Sequence, residues 1–328
     1  MDEITQYYNN VKKNWDKFRS NPENKKVRIR NAAEQLKFSE ADLLSTEIGN
    51  DVFYLKIKNY NLFLNKILSI DKLMFLIRNN HVVHEVVINT NLLYIDNNKI
   101  LHKDTNFPLI TFNKEQFYHF FYEKKIHSKK ELRSFQIFNK QGISILKIYL
   151  KGKDIKSFDE IAKTFHHNYN YEVQKYIKIH NLDTYNENYP NIEIESDINC
   201  KNFNKNSNIK VKKNILRFLL ENISLNKIPI QIHAYGNEII QYYRGEIKNI
   251  IDFGPWINII DKKINLHVLE KEIKHSIIQE YSNKESSKYI VNFFDSTSNL
   301  ALGITSINKY EKQFNKLINS LGGLNENK

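Results

Sequence analysis

Short stretches of this sequence recur downstream, in the same order and at nearly the same spacing. Asp96-Asn97-Asn98-Lys99-Ile100-Leu101-His102 resembles Asp261-Lys262-Lys263-Ile264-Asn265-Leu266-His267. Asn80-His81-Val82-Val83-His84 aligns with Asn237-Glu238-Ile239-Ile240-Gln241. Ser134 to Asn139 matches Ile290 to Asp295, and Phe158 matches Phe314. The offsets run from 156 to 165 residues. That period is far too long for a solenoid and implies two copies of one fold. Each copy reads as helix, several strands, helix. Antiparallel-type strands beside helices make the expected class α+β.

The length of 328 residues agrees with two domains. The expected division is 1–167 for the first copy, 168–209 for a polar linker and 210–328 for the second. The linker reading rests on Asn181 to Pro190 and Asn202 to Asn208, which are polar, turn-forming and without period. A short helix is expected within it, near Val173–Ile179.

In the first copy, Tyr8, Val11, Trp15 and Phe18 fall at helical spacing, and Asn21-Pro22 breaks that helix. A second helix carries Val27, Ala33 and Leu36. Ser39 is placed to cap a third. Strands are expected at Val82–Ile88, Leu92–Ile95, Leu109–Phe112, Arg133–Phe138 and Ile143–Leu150. Asn139-Lys140-Gln141-Gly142 reads as the hairpin turn between the last two. A helix through Phe158, Ile161, Ala162 and Phe165 closes the copy.

Several function classes are disfavoured. One cysteine, Cys200, excludes an intramolecular disulfide and a cysteine metal cage. The start, Met1 to Gln6, has no secretory character, and the apolar runs are too short to span a membrane. A cytoplasmic protein without membrane insertion is expected. The net charge of +12 is spread along the chain, and clusters such as Lys210, Lys212 and Lys213 are no longer than ordinary solvated faces. No specific nucleic-acid partner is expected. No nucleotide-binding, zinc-protease or serine-hydrolase motif is present.

The eleven histidines are the remaining chemistry. His166-His167 ends the first closing helix and reads as solvated. His102 and His267 occupy matched repeat positions and read as shared packing. His84 shares a strand face with Val82, Val86 and Ile88. Two readings compete for it. One is a core histidine held by a single hydrogen bond. The other is an axial ligand, since a neutral imidazole on an apolar wall suits an iron porphyrin.

The sequence resembles the HemS/ChuS/HmuS family of haem-utilisation proteins, also called haemin-degrading factors. Four blocks carry the resemblance. Asn21-Pro22-Glu23-Asn24-Lys25 through Phe38 to Leu43 follows the family's N-terminal pattern. Arg78 to Glu85 follows "RNEYAVHE". Ser134 to Gly142, continuing through Leu146 to Tyr149, follows "SIQFFDHQGDALLKVY". Pro255 to Ile260, continuing through Leu266 to Glu270, follows "GWLNIFNPTFTLHLLEE". The resemblance implies a tandem duplication of a HemS/ChuX-like domain, each repeat a large twisted antiparallel sheet flanked by helices.

It also implies haem b as ligand or substrate, delivered by a haem ABC importer. In members that open the macrocycle it implies an oxygenase-type activity, with oxygen and electrons from NAD(P)H by way of a reductase. The family's N-terminal axial ligand falls on His84. Its C-terminal axial histidine falls on Leu216, which has no donor atom. Family arginines fall near Thr111 and near Ile304 or Thr305. Another is replaced by Lys227, which keeps the charge but not the bidentate fork. Arg78 and Lys227 are the expected propionate contacts. The alternative is a degenerate member that acts as a non-catalytic binding or structural protein without tight haem binding.

Overall fold

The computed structural model describes residues 2–49, 51–127, 129–181, 204–211, 215–282 and 287–321. Cys200, Lys212, Lys213 and most of the expected linker lie outside the described residues.

The chain begins with helix α1 (Glu3–Ser20), whose first turn is capped by the Asp2 carboxylate accepting from the Thr5 amide. Val11 and Trp15 are its buried stripe, and the Trp15 indole donates to Glu47 at 2.8 Å. Asn21-Pro22 ends α1 and opens a single 3-10 turn, as the sequence implies. Helix α2 (Ile29–Leu36) follows. Helix α3 (Glu40–Ser45) starts in a capping box: the Asp42 amide donates to Ser39 Oγ, and the Ser39 amide donates back to the Asp42 carboxylate.

Beyond α3 the chain runs mostly through strands, with few helices between them. Strand β1 (Val52–Leu55) leads to helix α4 (Tyr60–Leu68), then β2 (Lys72–Arg78), β3 (Val82–Asn89), β4 (Leu93–Asp96), β5 (Lys99–His102) and β6 (Pro108–Phe112). Strands β7 (His119–His127), β8 (Lys130–Phe138) and β9 (Ser144–Leu150) precede helices α5 (Ile155–Phe165) and α6 (Glu172–Ile179). The second copy holds β10 (Asn204–Val211), helix α7 (Leu216–Leu225), β11 (Ile230–Gly236), β12 (Ile239–Gly245), β13 (Ile250–Phe253), β14 (Trp256–Ile260) and β15 (Ile264–Leu269). It ends with β16 (Ile273–Ser282), β17 (Ser287–Asp295), β18 (Leu300–Ser306) and helix α8 (Glu311–Ser320). The α+β class and the duplication are both present.

Each copy gives three strands to the other's sheet. One nine-stranded sheet has the order β1-β7-β8-β9-β2-β3-β15-β14-β13, and the other β10-β16-β17-β18-β11-β12-β6-β5-β4. The pairings between named strands are antiparallel. Matched positions make matched contacts: the Gln136 amide donates to Glu123 in the first sheet, and the Asn292 amide donates to Gln279 in the second.

This strand order corrects one sequence match. β15 pairs with β3, and β6 pairs with β12, the repeat counterpart of β3. The counterpart of β15 is therefore β6, and each is followed by one 3-10 turn. His102 lies on β5 and His267 on β15, so the two are not equivalent. The register instead matches His267 with Thr111, since Leu266 faces His84 where Ile110 faces Gln241.

The described residues fall into two compact units. The first takes the described residues within Met1–Phe75, Ile88–Asn98 and Asn113–Asn188, and the second those within Leu76–Val87, Lys99–Phe112 and Tyr189–Lys328. In the first, Phe121 and Phe138 pack with Tyr54, Leu44 and residues of α6, so the short helix expected near Val173–Ile179 is part of the core. In the second, Leu219, Leu220 and Ile223 of α7 are buried, as are Phe293, Leu302 and Ile304 of the sheet.

Candidate functional site

Strand β3 forms because Val82, Val83, Val86, Val87 and Ile88 are β-branched and fit a pleated surface. Its register with β15 sets His84 opposite Leu266, between the pairs Val82–Val268 and Val86–Ile264. Every one of those neighbours is buried, and His84 has 0% exposure. Neither ring nitrogen has a hydrogen-bond partner among the described residues. Burial, with a smaller push from the charge of His233, lowers its pKa to about 3. His84 is a neutral, sealed imidazole with an unused lone pair.

The turn before β3 is pinned by Asn79, itself buried. Its amide nitrogen donates to the Tyr235 and Ala301 carbonyls at 2.7 and 3.1 Å. Its oxygen accepts from the His81 and Val82 amides. Arg78 is the last residue of β2 and is partly buried. Next to this turn, a Cβ on Gly236 would lie 3.3 Å from the Arg78 carbonyl oxygen.

Leu216 is the first residue of α7 and is fully buried. Its neighbour Arg217 fixes the helix from outside, meeting Asp252 of β13 at 2.9 Å and Glu270 at 2.6 Å. Those two carboxylates hold the Arg217 guanidinium pKa above its usual value. Lys227 follows the helix, exposed and in the left-handed backbone region at φ 50°. Thr111, Ile304 and Thr305 are all buried in the second sheet, and the Thr305 hydroxyl donates to the Tyr289 carbonyl.

The sequence reads His267 as shared packing; the structure gives it a defined polar partner. Asn258, opposite it on β14, donates its amide nitrogen to the carbonyls of Ile251 and Trp256. Those two bonds fix the flip of the amide and aim its oxygen at His267 Nδ1, 2.5 Å away. The oxygen can only accept, so Nδ1 carries the proton and the basic nitrogen of the neutral ring is Nε2. The registers place Ile251 and Phe253 of β13, Trp256 and Ile260 of β14, and Asn265 and Leu269 of β15 on the face of His267. Phe253 is 79% exposed, Ile251 51% and Ile260 38%. The legible signal was the alternation Trp256, Asn258, Ile260 beside Asn265, His267, Leu269: apolar rim residues around two polar ones.

A second fixed imidazole lies on β11. Arg244 Nε donates to Gln231 Oε1 at 3.1 Å, and Gln231 Nε2 meets His233 Nε2 at 2.6 Å. Among the described residues, no group of three or more histidine, cysteine or carboxylate side chains is placed to hold a metal ion. No helix among them is long and apolar enough to cross a membrane.

Comparison with known proteins gives a consistent picture. The haemin-degrading HemS/ChuX domain model matches twice, over residues 37–165 and 199–321. No curated protein matches the sequence. Among solved structures, the chain is similar to the haem-degrading enzyme ChuS of Escherichia coli O157:H7, with a TM-score of 0.76 and 18% identity over 95% of this chain and 99% of that one. It is also similar to holo-PhuS, a haem-binding protein from Pseudomonas aeruginosa, with a TM-score of 0.75 and 16% identity over 94% and 98%. These likenesses are of fold. The paired domain matches, which fall on the two copies of the duplication, show that the chain belongs to the haemin-degrading HemS/ChuX domain family.

Proposed function

We propose that this chain is a cytoplasmic haem-binding protein of haem and iron utilisation, accepting imported haem for trafficking, with His84 as an axial ligand. The observation that carries the reading is the match of both copies to the haemin-degrading domain. The chemistry of His84 supports it. Its pKa, lowered to about 3, leaves the imidazole unprotonated at neutral pH, and neither nitrogen is committed to a hydrogen bond among the described residues. A protonated ring cannot bind iron, so burial prepares the donor.

The same burial shapes how the ligand is used. A tetrapyrrole needs open space beside its donor, and His84 has none in this conformation. Ligation through His84 therefore requires the layer over β3 to part, and this complex forms slowly. Leu216 weighs for carriage over turnover, because the family's second donor position is occupied by a buried aliphatic side chain. Bound haem would supply iron for oxygen chemistry in the presence of a reductant. The importer as donor and a reductase as electron source belong to this reading.

Haemin titration tests it. The expected result is a sharpened Soret band for the parent protein and a weaker final complex for His84→Ala. A His84→Ala protein that reaches the same final complex removes His84 as ligand. A parent protein with no spectral change removes the haem reading. Ascorbate, or NADPH with a reductase, then separates the roles: a Soret band stable over hours means carriage, and its loss means degradation.

A further inference from the structure

We propose a second haem-contact site, on the sheet face where the partly exposed His267 lies beside the exposed Ile251, Phe253 and Ile260, with Nε2 of that ring as the iron donor. The inference rests on the haem reading above and adds a site separate from the enclosed His84. Three features of the face carry it.

The first is the tautomer. Asn258 is tied by its nitrogen to the Ile251 and Trp256 carbonyls, so its oxygen holds Nδ1–H of His267. A metal-bound histidine uses this arrangement: one ring nitrogen donates to a fixed acceptor, which orients the ring and makes the other nitrogen a better base. Ligation would use the lone pair of Nε2, the basic nitrogen left by the Nδ1–H bond to Asn258.

The second is the surface around it. Phe253, Ile251 and Ile260 are exposed, and Trp256 and Leu269 are half-buried on the same side. Exposed apolar side chains gathered on one strand face favour a large, flat, apolar ligand that covers them together. Porphyrin has that shape, and its one metal atom needs the one nitrogen this face provides.

The third is charge at one end. The turn between β14 and β15 carries Lys262 and Lys263, both exposed. Lys263 lies four residues from His267, about 13 Å along the strand. A lysine side chain reaching back from there meets the carboxylate edge of a porphyrin whose iron sits on His267. Glu85, also on this face, lies opposite Asn265 and donates no cation; its carboxylate accepts from the Asn265 amide at 3.0 Å.

Stopped-flow mixing with haemin tests the proposal, because an open site fills fast and an enclosed one slowly. The expected result is a fast phase in the parent protein that slows about tenfold or more in His267→Ala and is unchanged in His84→Ala. Asn258→Leu, which leaves the imidazole but removes its acceptor, weakens the fast complex about tenfold. Phe253→Glu, at an exposed position remote from the core, weakens it without a change in circular dichroism. A fast phase and spectrum in His267→Ala identical to the parent overturn the proposal while the haem reading stands. A parent protein that takes up no haemin overturns both.

Discussion

His84 and His267 lie on neighbouring paired strands one step out of register, Leu266 opposite His84 and His267 opposite Val83. The pleat therefore sends the two imidazoles to opposite faces of one sheet. One ring is fully buried and the other is partly exposed.

His84 and His119 are both buried, and both have their pKa lowered to about 3 by desolvation, a Lys140 backbone contact opposing the shift at His119. The unfolded chain binds these protons below about pH 6.5, and the native chain does so only near pH 3. Stability is therefore fully present above pH 6.5 and falls as pH drops towards 3, by up to about 1.4 kcal/mol per pH unit for each ring. Asp42 works against them: burial raises its pKa to about 6, so the native state holds that proton between about pH 4 and 6, and stability from this group is lost as pH rises through that window. Urea unfolding between pH 4.5 and 5.5 is expected to show stability rising with pH more steeply in the parent than in His84→Leu, by about one proton. Equal slopes in the two proteins count against the shift at His84.

His84→Leu also tests the orphaned ring at neutral pH. Replacing a buried group that has no partner with an aliphatic one of similar size removes a desolvation penalty of about 1–3 kcal/mol. The expected outcome is a midpoint equal to or above the parent's in urea. A loss of more than about 1 kcal/mol reveals a hydrogen bond that the ring makes in solution.

Asn79 makes four hydrogen bonds from a buried position, two to carbonyls and two from amides. Asn79→Ala leaves those backbone groups unpaired and is expected to cost about 3 kcal/mol or more. Unfolding curves measure it. The loss should be shared by all probes if the second unit unfolds as one.

Gly142 has φ of +78°, and a Cβ there would lie 2.2 Å from Ser39 Oγ. Gly142→Ala therefore combines backbone strain with a clash against the cap of α3. About 2 kcal/mol of destabilisation is expected. Ser39→Ala alone loses the cap and about 1 kcal/mol. The difference between the two by thermal melting separates the clash from the cap.

Leu216→His places an imidazole at a fully buried position. Loss of packing and burial of a polar ring are expected to cost about 2 kcal/mol or more. No new low-spin haem signal is expected, because the side chain stays enclosed at the first turn of α7. Appearance of such a signal in the haemin titration shows that α7 opens to the ligand.

Much of the architecture was legible because it is written in local chemistry. Ser39 and Asp42 announce their capping box, Pro22 ends α1, and Asn139 to Gly142 form the turn between β8 and β9, the Gly142 amide donating to the Asn139 carbonyl. Helix α4 was not legible, since Tyr60-Asn61-Leu62-Phe63-Leu64 is apolar in a continuous run that fits a strand as well as a helix. Strands β2 and β7 were passed over for the same reason: without a clean alternation they carry no period of their own.

The sequence by itself determined the duplication, the α+β class and the family, because repeats, caps and residue types are local properties. Only the tertiary structure decided that each sheet is completed by three strands of the other copy, that Thr111 and not His102 is the counterpart of His267, and that His84 is sealed while His267 is partly exposed. Exposure depends on which strand lies alongside and in what register, and β3 meets β15 across some 180 residues of chain. No local pattern encodes that pairing; the packing of the whole sheet selects it.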